Sequence, residues 1–178
     1  QAGIELLQMV REAAGAFSQV ALYFEHSIQA PDAAWLSAAA AAVERLERKD
    51  GAVIVDSPRG AGLRWPGAAL VDGRPWPVSD GETVWLAPGR HRIERAQENP
   101  PLVLLDLAAD LIAAGVVSGG LEFTYDSLGR TLALFNKKPA RFFLDGKPAQ
   151  IEIRPYSAPA AAVLPAGRHT VRAVISGD

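Results

Sequence analysis

The sequence predicts an α+β chain: a short N-terminal α/β segment followed by β-rich modules, the last of them a β-sandwich. Three observations predict it. Only the first 50 residues mix helical spacing with β-branched runs. Beyond them Gly and Pro become frequent and the apolar runs shorten, which is the texture of strands and tight turns. Two stretches also repeat the same order of signals. "AALVDGRPWPV" and "RFFLDGKPAQI" each carry Asp-Gly, a basic residue and Pro, and "APGRHRI" and "PAGRHTV" follow them in turn.

The first segment justifies its α/β reading piece by piece. "IELLQMVREAAGAF" places Ile4, Leu7, Met9 and Val10 near helical spacing. "SQVALYFE" reads as a buried strand, with β-branched and aromatic members in a mostly apolar run. "APDAAWLSAAAAAVERLERKD" starts with Pro31 and Asp32, a good helix start, and its alanine-rich body ends in alternating charges. "GAVIVDS" reads as a further strand. The expected domains are therefore an α/β segment over 1–50, a small β module over 51–98 and a β-sandwich module over 99–178.

In the β part, Asp72-Gly73 and Asp145-Gly146 between apolar runs predict hairpins, because a tight primed turn needs positive φ. The Gly-Arg-His turns then launch the closing strand of each copy. "PPLVLLDLAADLIAAGVVSGG" fits a helix by Leu and Ala propensity, or two strands, "VLLD" and "LIAAGVV", around "AAD"; its β surroundings favour strands. Phe123 and Tyr125 fall on one strand face, and "DSLGR" is the turn into the alternating run Thr131–Asn136. Short strands with regular turn signals suggest an immunoglobulin-like sandwich for the last module.

Composition narrows function. The 178 residues are 49% hydrophobic and 21% charged with a net charge of −2, enough apolar material for a core. No basic stripe is present to displace counterions from phosphates, so nucleic acid is not an expected partner. The absence of cysteine excludes disulfides, Cys-based zinc sites and thiol catalysis. No apolar run is long enough for a membrane helix. A first residue of Gln1, with no signal-peptide pattern, is expected of a processed form or a piece of something longer.

The Asp-Gly…Pro-Gly-Arg-His order resembles the small β modules called PEGA domains. The stretches "VDGRPWPVSDGETVWLAPGRH", "LEFTYDSLGRTLALFNKKP" and "LPAGRHTV" are similar to C-terminal β-domains of bacterial TIM-barrel glycoside-hydrolase-like proteins. "VALYFEHSIQAPDAAWLSAAAAAV" is similar to the last β/α segment of such a barrel, although one or two β/α units cannot close eight strands. The resemblance implies an accessory or scaffold region with weak carbohydrate contact, in a secreted or periplasmic setting. Its partners would be an upstream domain, a second copy of the chain or a polysaccharide. The alternatives are part of an active glycoside hydrolase, or a cell-envelope interaction module.

Candidate residues follow from the same chemistry. Glu25, beside His26 at the end of the best strand, would be the catalytic carboxylate of a glycosidase, which also needs a second carboxylate about 5–10 Å away. The alternative, a strand-end Glu in solvent, is favoured. Trp65 and Trp76, beside prolines, are candidates for stacking on sugar rings, whereas Trp85 in "TVWL" is expected in the core. A three-histidine metal site from His26, His91 and His169 is disfavoured, because two of them occupy equivalent turns. No metal or cofactor is expected, and neither Gly-x-Ser-x-Gly nor a phosphate-binding Gly-Lys-Ser/Thr loop occurs.

Overall fold

The structure is a computed structural model that describes residues 43–155 and 160–175. They belong to one compact unit, 43–178. The helix and strand expected within 1–42 lie outside the described residues. The helix expected to run on to residue 50 is corrected at its end, where Arg45–Lys49 forms strand β1. The turn that follows decides this. Asp50 and Gly51 take φ of 51° and 75°, the conformation of a primed hairpin turn. The chain folds back antiparallel into β2 (Ala52–Ser57), with Lys49 opposite Ala52. Among the described residues there is no helix, so this part is all-β rather than α+β.

The first module continues with β3 (Ala61–Arg64), β4 (Ala69–Val71), β5 (Arg74–Pro75), β6 (Thr83–Leu86) and β7 (Gly89–Arg95). Five strands make one antiparallel sheet in the order β1-β2-β7-β4-β5, and β3 pairs with β6 in a second. The stretch read as two strands is two strands, β8 (Leu104–Leu107) and β9 (Asp110–Val117). Then come β10 (Gly120–Ser127), β11 (Thr131–Phe135), β12 (Arg141–Leu144), β13 (Lys147–Ala149), β14 (Glu152–Pro155), β15 (Ala160–Leu164) and β16 (Gly167–Val174).

Their sheet orders are β9-β10-β16-β12-β13 and β14-β15-β11-β8. The first has the same connectivity as β1-β2-β7-β4-β5. The β11–β15 pair likewise repeats β3–β6. What the sequence shows as repeated turns is thus a duplicated topology. Register agrees as well: Ser57 faces Gly89 and Val55 faces His91, while Ser127 faces Gly167 and Tyr125 faces His169.

In the second module the two sheets pack face to face as a β-sandwich. Phe123 and Tyr125 on β10 and Phe135 on β11 are fully buried, as are Leu121, Leu164 and Val171. Phe135 bridges the layers, 6.3 Å from the Phe123 ring and 5.9 Å edge-on to Phe142 of β12; such tilted arrangements suit the ring quadrupoles. The Tyr125 hydroxyl, buried with its ring, donates to the Pro165 carbonyl at 2.7 Å. The outer edge of this sandwich is charged: Glu152 on β14 accepts from Arg130 at 3.1 Å and from Arg154 at 2.9 Å.

A short bridge joins the modules. Ser79 pairs with Val84 of β6, and Val78 pairs in parallel with Leu104 of β8. The Leu104 N–H donates to the Pro77 carbonyl at 2.8 Å, and the Ser79 N–H donates to the Leu104 carbonyl at 3.0 Å. Val78 and Leu104 are buried at this bridge. The smaller sheet of the first module and the β8-containing sheet of the second therefore share a backbone seam.

Candidate functional site

Both described histidines sit in the same device. In the first module the Asp72-Gly73 turn joins β4 to β5 with φ of 52° and 75°. The short side chain of Asp tolerates this left-handed conformation and can bond nearby backbone. One Asp72 oxygen lies 2.8 Å from His91 Nδ1 and the other accepts the Arg92 N–H at 2.8 Å. The Asp72 N–H returns a bond to the Arg92 carbonyl. His91 Nε2 lies 3.1 Å from the Ala87 carbonyl.

The second module builds the device again. Asp145 and Gly146 have φ of 50° and 78°. Asp145 lies 2.7 Å from His169 Nδ1 and accepts the Thr170 N–H at 2.9 Å, while His169 Nε2 lies 3.0 Å from the Ala166 carbonyl. An aromatic ring flanks each histidine: Trp76 at 6.4 Å from His91, Tyr125 at 6.0 Å from His169. Gly89 and Gly167, at φ of 125° and 101°, make the turn that lets the imidazole fold back over the chain.

Electrostatics in the second copy follow from these contacts. The Thr170 N–H, then His169, hold the Asp145 carboxyl below its ordinary range. Asp145, with the Ala166 carbonyl, raises the His169 pKa. A neutral imidazole has a single N–H, so only the charged ring donates to both acceptors. In that charged form the ring has no lone pair to offer a substrate proton. Burial, with the nearby Asp145 charge, pushes the Tyr125 phenol up to about 12, so it stays protonated.

The tryptophans of the first module separate. Trp76 is buried, and its indole N–H donates to the Trp85 carbonyl at 2.8 Å. Trp65 is half-buried, with its N–H toward the Ala68 carbonyl at 3.3 Å and the Arg95 guanidinium 5.9 Å over its ring. Trp85, expected in the core, is instead 41% exposed. Strand parity is the reason: Val84 and Leu86 point inward, so Trp85 points outward. Its indole covers Gly62 opposite, where a Cβ would come within 2.6 Å of the ring.

A groove of about 570 Å³ runs between the β4–β5 hairpin and β9. Asp72, Arg74 and Trp76 line one wall, and Ala114, Gly115 and Val116 the other. Trp76 thus lines the groove while buried, with its indole N–H already bonded to the Trp85 carbonyl. Glu25 and His26 lie outside the described residues. The Asp72–His91 and Asp145–His169 contacts had no direct sequence signal, although the repeated order Asp-Gly then Gly-Arg-His marked the right four residues. No helix among the described residues is long and apolar enough to cross a membrane. No family model, curated protein or solved structure gives a significant match to the chain.

Proposed function

We propose that this chain is a non-catalytic accessory region of a carbohydrate-active protein, in which duplicated β modules, the second immunoglobulin-like, serve as a scaffold and make weak contact with polysaccharide. The observation that carries this reading is the duplicated Asp–His clasp. Both histidines are spent on fixing the launch of a closing strand, in equivalent places and with equivalent partners. An arrangement used identically in two modules serves their common architecture rather than one reaction. The exposed indole of Trp85 supplies the carbohydrate contact, because the apolar face of a pyranose stacks on an exposed π surface, and the half-buried Trp65 of the same module is a further candidate. Trp76, which lines the groove between the modules, is a second candidate contact point.

The test is a glycan array and soluble-polysaccharide titration with the whole chain and with Trp65→Ala, Trp76→Ala and Trp85→Ala. Saturable binding that Trp85→Ala removes, with the fold intact by circular dichroism, is the expected result. Binding to no glycan, or binding indifferent to all three substitutions, overturns the carbohydrate reading. Hydrolysis of any bound glycan by the chain overturns the non-catalytic one.

A further inference from the structure

The two modules are copies, yet the same sheet edge is treated differently in each. In the second module the outer edge of β11 is covered by β8: Ala133 faces Leu107, Leu134 faces Asp106 and Phe135 faces Leu104. The Ala108 N–H donates to the Leu132 carbonyl and the Asn136 N–H to the Val103 carbonyl. With that cover, the inward residues Thr131, Ala133 and Phe135 are all buried.

In the first module the counterpart of β11 is β3. Loops of equal length lead from Ser57 to Ala61 and from Ser127 to Thr131, so Ala61, Leu63, Arg64 and Trp65 match Thr131, Ala133, Leu134 and Phe135. On its inner side β3 pairs with β6, Leu63 facing Val84, and the Trp65 N–H donates to the Glu82 carbonyl. Antiparallel alternation then aims the N–H and C=O groups of Gly62 and Arg64 the other way. Among the described residues no strand pairs with them. The inward side chains Ala61, Leu63 and Trp65 are only half-buried where their counterparts are covered.

We propose that the outer edge of β3 is a strand acceptor, taking an extended segment of a partner polypeptide in antiparallel pairing. The filled copy dictates the chemistry of that segment. β8 brings Leu104 and Leu107 to the core side, three residues apart because the register shifts at Leu134/Phe135, and puts Asp106 opposite Leu134. At the matching place β3 carries the exposed Arg64. The incoming strand therefore has apolar residues toward the core and a carboxylate opposite Arg64, an opposite-charge cross-strand pair. Backbone bonds supply the affinity and the alternating side chains the selectivity. This site lies at the strand edge and does not depend on any glycan reaching the Trp85 face.

The probe is a peptide of the β8 segment, residues 102–107, flanked by lysines for solubility and titrated onto the whole chain. Backbone amide exchange is read by NMR. The expected result is saturable protection of the Gly62 and Arg64 amides. A peptide with lysine in place of its aspartate binds about tenfold more weakly, since like charges directly opposite each other repel. Arg64→Pro removes the outward N–H, a change edge strands tolerate, and abolishes protection at Gly62 while the Trp65 amide and the melting temperature hold. The proposal is overturned if the Gly62 and Arg64 amides are already as slow as that of Trp65 without peptide. It is equally overturned if no protection develops, or if Arg64→Pro binds the peptide as well as the native chain.

Discussion

Asp145 makes its turn and fastens it at once. Its positive φ shapes the hairpin, and its two oxygens hold His169 and the Thr170 N–H of the closing strand. The pH dependence follows with a definite sign. His169 has a folded pKa raised above 6.5, so its contribution to stability is full below 6.5 and lost as pH rises through the raised value. Asp145 has a folded pKa lowered below 3.8, so its contribution is present above 3.8 and lost as pH falls through the lowered value. The melting-temperature gap between the native chain and Asp145→Asn is therefore greatest from pH 3.8 to 6.5 and narrows on the alkaline side. A gap that widens above neutrality would contradict the clasp. Tyr125 gives a second residue-level test. In a spectrophotometric titration one of the three tyrosines should ionise only at about pH 12, and Tyr125→Phe should remove that step. The same substitution costs about 1 kcal/mol in urea unfolding, for the hydroxyl's hydrogen bond to Pro165.

Elements succeed or fail on how local their causes are. The Asp-Gly hairpins and the Gly-Arg-His launches were legible because a primed turn is written in two adjacent residues. The strands β8 and β9 were legible from their surroundings. Strand β1 was not: "ERLERK" continues an alanine-rich run, and helix propensity outweighed the Asp50-Gly51 signal that follows it. Trp85 was misplaced although parity was available, since Val84 and Leu86 claim the inner face and leave the outer one to it. The clasp contacts could not be read, because they join a hairpin to a strand across long sequence separations. Gly120 shows how tight the β10–β16 pair is. A Cβ there would come within 1.9 Å of the Ala173 carbonyl oxygen, so Gly120→Ala must push the two strands apart. The expected loss is on the order of 2 kcal/mol or more, read by urea unfolding. Phe135→Ala, which empties the space between the two layers, costs about 3–5 kcal/mol.

At the scale of the whole described body, the Val78–Leu104 seam makes the modules interdependent. Neither of the two bridged sheets keeps its full pairing without the other module. Residues 43–178 should therefore unfold in one calorimetric transition. Val78→Glu, which places a charge at a buried seam, should lower the transition and split it into two. A native chain that already melts in two steps within this region would show the seam to be weak. The duplication was legible as a pattern of turns, but its welding was not, because nothing in "WPVS" announces a parallel partner in another module.

The charged edge of the sandwich takes on a further meaning beside that seam. Ser79 faces Val84 on β6 as Ile153 faces Ala162 on β15, so the residue before it, Val78 in the first module, is Glu152 in the second. The first copy places there a buried valine at the bridge to the second, while the second places there a carboxylate that accepts from Arg130 and Arg154. One position thus serves two ends: valine lets it sit buried at a seam between modules, and glutamate lets it stand at a charged outer edge, without any change of fold.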